Sequence, residues 1–260
     1  MNKWSAVLPR MGVPVKQGGG FMVSGRRFAG ITAAIAAYMR LPSHRRCPCR
    51  ATTPALRQQS RHSRKGKVSL RPVGPQRTRL PPKQHGLMVD AVVTAWVAEG
   101  RVPDTHPDPC CAALASYLRM REWVPLAAQP VFALSAVHAT AADLVCCTKD
   151  RRQLVLVEVK STQADAHDAA IACYARGRGL LRRTPLARWP KSRALEHQIQ
   201  LALMHHGLAV LGAEPDQSVV LRVTPRGVLE FPLHPAVRDA AGAILEQMEK
   251  SGRRRGRARV

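Results

Sequence analysis

The first 89 residues of this 260-residue chain contain no acidic side chain, although they carry eighteen lysines and arginines. The last ten residues also lack acids and carry five arginines, so the formal net charge of +24 lies almost entirely in the two ends. The stretch between the ends is nearly neutral. Basic ends of this kind are typical of proteins that bind a polyanion, because each cation that meets a phosphate releases a condensed counterion.

Long apolar runs and regularly spaced cysteines are also missing. No run approaches 18 consecutive apolar residues, which argues against a transmembrane helix. The cysteines form no C-x-x-C pair and are odd in number, which favours buried thiols in a reducing compartment over a zinc or iron–sulfur set. They are Cys47, Cys49, Cys110, Cys111, Cys146, Cys147 and Cys173.

Residues 1–83 are rich in Pro, Gly, Ser and Arg and lack sustained periodicity. We therefore expect a basic, mostly disordered N-terminal arm, with a short apolar helix possible over 28–39. An arm without acids fits a mitochondrial presequence, a nuclear signal or a nucleic-acid tether, and all three indicate an intracellular protein. Residues 251–260 form an Arg-rich tail.

Residues 84–250 show the periodicities of one α/β domain. We predict helices over 86–100, 107–123 and 164–176, from Ser192 through 207, and after His234. We predict strands near 129–137, 142–148, 153–160, 218–223 and 227–231.

Two of these helices have a predicted buried face, and two have a predicted N-terminal signal. Asp108 precedes Pro109 as an N-cap, and Pro235 follows His234 in the first turn of the last helix. In the first helix the expected apolar stripe is Leu87, Ala91, Thr94, Ala95 and Ala98. In the last helix it is Val237, Ala241, Ile244, Leu245 and Met248.

The segment 154–160, L-V-L-V-E-V-K, is typical of a central strand covered on both faces, since apolar residues occupy both alternations before the charges begin. Glu158 and Lys160 project from the same face. A carboxylate in such a strand needs compensation.

A hairpin through residues 149–152 would place Asp143 directly opposite Glu158. Two carboxylates so close repel unless a cation lies between them, and oxygen ligands suit Mg²⁺ or Mn²⁺. The alternative is that each acid pairs with a nearby Lys or Arg. A one-residue slip in register would move Asp143 to the opposite face.

The pattern T-A-A-D143 followed by L-V-L-V-E158-V-K160 resembles the core motif of the PD-(D/E)XK nuclease superfamily. The segment 200-QLALM-204 resembles the Gln-x-x-x-Tyr helix of its RecB-type branch, with Met204 in place of the Tyr. Asp90 stands where that branch has an upstream His, and is a possible metal ligand. The resemblance implies a restriction-endonuclease-like core, in which helices flank a mixed central sheet. It also implies a metal-dependent endonuclease or exonuclease, with DNA as the expected substrate.

By this resemblance, Asp143, Glu158 and the Val159 carbonyl would bind Mg²⁺ or Mn²⁺. Lys160 would orient the attacking water or stabilise developing charge, and could act as a base only with a depressed pKa. Gln200 would orient Lys160 or contact the substrate, although a solvent-facing role is equally compatible with its position.

A basic loop lies between the predicted catalytic strand and the Gln200 helix, and its cations would bind the phosphate backbone. They are Arg176, Arg178, Arg182, Arg183, Arg188, Lys191 and Arg193. Trp189 in this loop could stack on a base, but packing against the loop is the simpler expectation. We expect surface or capping roles for His205 and His206. The alternative function is a non-catalytic nucleic-acid-binding protein that keeps the nuclease fold.

Overall fold

The computed structural model describes residues 15–17, 20–23, 26–39, 80–102, 104–163, 174–176, 180–181 and 185–257. Ten strands and six helices are defined within them. The strands are β1 (Val15–Gln17), β2 (Gly20–Val23), β3 (Arg26–Gly30), β4 (Trp123–Ala128), β5 (Val131–Ala133), β6 (His138–Ala141), β7 (Leu144–Thr148), β8 (Leu154–Ser161), β9 (Gln217–Thr224) and β10 (Gly227–Pro232). The helices are α1 (Ile31–Met39), α2 (Pro82–Glu99), α3 (Pro109–Met120), α4 (Arg193–Val210), α5 (Pro235–Asp239) and α6 (Ala241–Arg257).

The larger sheet has the strand order β10-β9-β8-β7-β4, so β8 lies at its centre. β8 and β9 are parallel, whereas the other neighbours are antiparallel. The parallel pair is connected through α4, as expected for a crossover that must return to the same edge of the sheet. The protein is therefore a mixed α/β fold with helices against its sheets.

Side chains alternate along β8 as the sequence predicts, and both faces are covered. Val155, Val157 and Val159 pack in one core with α2 and α3. Leu154 and Leu156 pack in a second core with α4. Glu158 continues the α4 face, so the charged end of β8 meets this helix.

The N-terminal ends of α3 and α5 match their predicted signals. The side chain of Asp108 accepts hydrogen bonds from the backbone N–H groups of the next turn, which caps α3. Ser192 caps α4 in the same way. The predicted last helix is divided into α5 and α6, but its predicted apolar face is buried throughout.

The predicted buried face of α2 is wrong. Leu87 is 54% exposed, and the residues that enter the core are His85, Val89, Val92, Val93 and Trp96. Apolar residues surround most of this helix, so its periodicity alone selected the wrong side. The helix ends at its predicted C-terminal boundary, where Gly100 has a left-handed backbone (φ 69°).

Three further differences concern the strands and the segment 164–176. The predicted strand 129–137 is replaced by the short β5, and β6 follows it. The predicted helix over 107–123 ends at Met120, and its last predicted residue, Trp123, begins β4. Most of the predicted helix over 164–176 lies outside the described residues.

A second sheet includes part of the expected disordered arm. Its order is β1-β2-β3-β6-β5, with β3 parallel to β6. α1 follows directly, and its buried side chains join a core with α4 and α6. Residues 26–39 of the arm are therefore ordered, and the possible helix within 28–39 is confirmed as α1. Residues 40–79 and 258–260 lie outside the described part of the chain, and the arm and tail boundaries stay predictions.

Within the described ranges, no helix has both the length and the apolar character needed to cross a bilayer.

Candidate active site

Asp143 lies directly before β7 and is brought to Glu158 by the β7–β8 pairing. Leu144 pairs with Val157, which confirms the predicted register and sets Asp143 opposite Glu158. Two backbone contacts hold Asp143 there. Its Oδ2 accepts the Val159 N–H at 2.6 Å, and its carbonyl accepts the Gln129 N–H at 3.1 Å.

Glu158 is fully buried, and the described residues that donate hydrogen bonds to its carboxyl group all contact the same oxygen. Oε1 accepts from Gln200 Nε2 at 2.6 Å and from the ammonium of Lys160. Among the described residues, no hydrogen-bond donor reaches Oε2. Burial raises the pKa of Glu158 to about 8, and the charge of Asp143 adds to this effect against the opposing influence of Lys160.

At Lys160, nearby charges affect the pKa more strongly than burial does. Burial alone would lower its pKa, but the nearby negative charges of Glu158, Asp143 and Asp90 outweigh this and raise it. The side chain therefore carries a positive charge at neutral pH. The depressed pKa that a general base would require is absent from this arrangement.

Gln200 faces the site rather than solvent, because α4 packs along the Glu158 face of β8. It contacts the carboxylate and not the amine that the resemblance had implied. Met204, one turn further along α4, is fully buried in the hydrophobic core. The position that resembles the family's Tyr is thus part of the packing between α4 and the sheet.

The Val159 carbonyl oxygen lies on the same edge of β8 as Asp143. In a strand, the N–H and C=O groups of one residue point toward the same neighbouring strand. Since the Val159 N–H donates to Asp143, its carbonyl is directed toward the same side of β8, next to the start of β7 at Leu144. This oxygen can join the two carboxyl groups as a third ligand.

The structure adds residues that sequence reasoning missed. Arg222 on β9 pairs in register with Lys160, and its guanidinium lies 5.0 Å from the Tyr174 ring centroid. The Tyr174 hydroxyl lies 3.0 Å from Nδ1 of His197 on α4. Only the parallel β8–β9 pairing brings Arg222 to this position, and no local motif in the sequence indicates that pairing.

The cations of the predicted basic loop differ in their exposure to solvent. Arg176 and Arg188 are exposed, and Lys191 is half-buried. Arg193 forms an ion pair with Glu196, which reduces its availability to a substrate. Arg178, Arg182 and Arg183 lie outside the described residues.

Hydrophobic side chains fix this loop to the protein. Leu181 and Leu186 are buried in the core with α1, α4 and α6. Trp189 packs at the edge of the same core and meets the His234 ring at 4.9 Å in a T-shaped contact. The packing interpretation therefore describes Trp189 in this structure.

The expected surface role is wrong for His205. This residue is buried, and its Nδ1 lies 3.0 Å from the Ser218 hydroxyl on β9. Burial lowers the pKa of His205, so it is neutral in the core at physiological pH. His206 is half-buried and its ring faces Gly242 of α6.

Comparison with known proteins finds no matching family model and no matching curated protein. A solved structure described as "Crystal structure of SSO0001" is similar over 91% of this chain and 78% of that chain. Its sequence identity with this chain is 12% and the TM-score is 0.33. At that TM-score the likeness supports no conclusion about fold or function.

Proposed function

We propose that this protein is a Mg²⁺- or Mn²⁺-dependent nuclease that hydrolyses phosphodiester bonds in DNA, on a restriction-endonuclease-like core. The single observation that carries the proposal is the meeting of Asp143 with buried Glu158, beside Lys160, at the end of the central strand.

The donor set suits a hard divalent cation. Glu158 Oε2 is buried without a hydrogen-bond donor in the described part of the chain, whereas Oε1 is already occupied by Lys160 and Gln200. A proton or a cation is needed to relieve the repulsion between Asp143 and Glu158. With the Val159 carbonyl, the two carboxylates offer three oxygens, the ligand type that Mg²⁺ and Mn²⁺ prefer. When bound, the ion would supply Lewis-acid activation of the phosphate and of a water molecule.

The side chains of this site have separate roles in the proposed reaction. The raised pKa of Lys160 keeps its ammonium charged, so it would stabilise negative charge developing on the phosphate rather than remove a proton. Gln200 fixes the Glu158 carboxylate and leaves Oε2 available. The hydrogen bond from the Val159 N–H restricts rotation of the Asp143 carboxylate and keeps it next to Glu158.

A polyanionic substrate agrees with the charge distribution of the chain. Exposed Arg176 and Arg188 belong to the loop that precedes α4, which carries Gln200. The basic ends add cations that bind phosphates without reading sequence. We therefore propose a nucleic acid as substrate, bound largely through its backbone.

The proposal is tested by nicking of supercoiled plasmid and degradation of end-labelled single strands of DNA and RNA. We expect cutting of DNA with Mg²⁺ or Mn²⁺, none with EDTA, and loss of at least about 100-fold in rate for Lys160→Ala. The matched control is Lys149→Ala, since Lys149 is exposed in the β7–β8 turn and pairs only with exposed Glu122 among the described residues.

The result distinguishes the enzyme from the non-catalytic alternative. Retarded migration of DNA without metal-dependent cutting would identify a nucleic-acid-binding protein that retains the fold. Cutting that persists in Lys160→Ala would indicate a contaminating nuclease or a different site, and would reject the assignment of these residues.

A further inference from the structure

Three possible metal ligands meet on the face of β8 opposite the paired carboxyl groups. His85 lies in the first turn of α2, Asp108 is the N-cap of α3, and Cys110 is in the first turn of α3. One donor atom from each residue lies within 4.8 Å of the other two. Hydrophobic packing alone does not explain why an imidazole, a carboxylate and a thiol meet at one place. It lies beside Ser161 and Thr162, where β8 ends.

His85 has the arrangement expected of a metal-binding imidazole. Its side chain is 3% exposed, and its Nδ1 lies 3.1 Å from the Ser161 hydroxyl. In the tautomer with the proton on Nδ1, the ring donates to Ser161 and leaves the lone pair on Nε2. Metal-binding histidines commonly hold their second ring nitrogen in this way. Nε2 is buried and makes no hydrogen bond to any residue that the structure describes.

Nε2 of His85 is aimed at the other members of the cluster. It lies 3.5 Å from Asp108 Oδ1. Nitrogen and oxygen ligands on one tetrahedral ion, at bond lengths near 2.1 Å, are separated by about 3.4 Å. Asp108 is fixed in place because Oδ1 also accepts the backbone N–H groups of Cys110 and Cys111.

Cys110 makes the set selective for a softer ion than Mg²⁺. Its thiol donates to the Thr162 carbonyl at 3.3 Å, and zinc binding would release this proton and give up the hydrogen bond. Thiolate, imidazole and carboxylate together suit Zn²⁺, with the fourth tetrahedral position open to water. Asp108 is 19% exposed, which provides a path of entry for the ion.

From these contacts we infer that His85, Asp108 and Cys110 bind one Zn²⁺ ion that joins the starts of α2 and α3 to the end of β8. This ion is separate from the cation proposed between Asp143 and Glu158. The inference does not depend on nuclease activity.

The test uses untagged, full-length protein loaded with Zn²⁺ and dialysed against metal-free buffer. We expect one equivalent of retained zinc by mass spectrometry. We also expect Co²⁺ substitution to give a thiolate-to-cobalt charge-transfer absorption. Cys110→Ala should lose the absorption and bind zinc at least about tenfold more weakly. Cys146→Ala is the matched control, because it removes another fully buried thiol of the same core, on β7, and should retain both signals.

Two more variants keep the outcome decisive. Asp108→Asn preserves the N-cap but removes the carboxylate, and should weaken zinc binding with little loss of helix. Glu158→Gln alters the other site and should retain the zinc. The inference is wrong if folded wild-type protein retains no zinc, if its cobalt form lacks the thiolate band, or if Cys110→Ala binds zinc like the wild type. The first of these results would leave a contact between His85 and Asp108 without a metal.

Discussion

A carboxyl group inside a sheet raises the free energy of the fold unless a proton, a cation or hydrogen bonds compensate it. At Glu158, Gln200 and Lys160 compensate one oxygen, and Asp143 opposes ionisation from the other side. The sequence was sufficient to predict the Asp143–Glu158 encounter, because alternation along β8 and the hairpin register are local properties. It could not predict that Glu158 would be completely buried, since that depends on the placement of α4.

The raised pKa of Glu158 predicts a pH-dependent stability. Its protonated form contributes stability that is fully present below the ordinary pKa of 4.5 and is lost as pH rises through about 8. Glu158→Gln removes this titration, so the stability of the wild type should fall relative to that of the variant between pH 5 and pH 9. The relative change should be on the order of a few kcal/mol, measured by thermal unfolding in EDTA.

Glu122→Gln provides the control for this measurement, because Glu122 is exposed and pairs with exposed Lys149. Its stability should follow the wild type across the same pH range. A constant difference between the wild type and Glu158→Gln at every pH would show that Glu158 ionises normally.

At the scale of the element, local signals located the helix starts better than they identified the buried faces. The Asp108 cap and the start of α4 at Ser192 depend on contacts within one turn, so the sequence alone was sufficient to predict them. The buried side of α2 depends on which sheet the helix meets, and there the predicted stripe through Leu87 was wrong. α4 shows a further tertiary constraint at Gly207, where the helix passes close to Phe132 of β5.

Two helical glycines should therefore respond to alanine with opposite signs. A Cβ at Gly207 would lie 2.7 Å from Leu134 Cδ2 and 2.9 Å from the Phe132 ring, whereas a Cβ at Gly86 would meet nothing within 4 Å. Gly207→Ala should destabilise the protein by about 1–3 kcal/mol through overpacking. Gly86→Ala should stabilise it by about 0.5–1 kcal/mol through reduced backbone entropy. Chemical denaturation measures both. Equal effects of the two substitutions would contradict the close approach of α4 to β5.

At the scale of the whole molecule, the described N-terminal residues are part of the fold rather than an appendage to it. β3 pairs with β6, and α1 packs against α4 and α6. Composition predicted a mostly disordered arm over residues 1–83, where Arg, Gly and Ser are frequent, with a helix possible over 28–39. A few apolar residues nevertheless suffice for order when a preformed surface is available to cover them.

Ile35 tests whether α1 contributes to global stability. It is 1% exposed and packs between α1 and the last helices, so Ile35→Ala should reduce the free energy of unfolding by about 2–5 kcal/mol. Thr32→Ala, on the exposed side of α1, should change it by less than about 0.5 kcal/mol. Urea denaturation gives both values. An unchanged midpoint for Ile35→Ala would mean that α1 is not coupled to the core.

The sequence by itself determined the short-range features. These are the alternation that places Glu158 and Lys160 on one face of β8, the hairpin register that sets Asp143 opposite Glu158, and the Asp108 helix cap. These depend on backbone geometry and on neighbours a few residues apart. Tertiary structure alone decided the burial of Glu158 under α4, the position of Arg222 beside Lys160, the meeting of His85 with Cys110, and the packing of α1. Each of these requires segments distant in the chain to exclude water from a shared surface, and that depends on the packing of the whole fold.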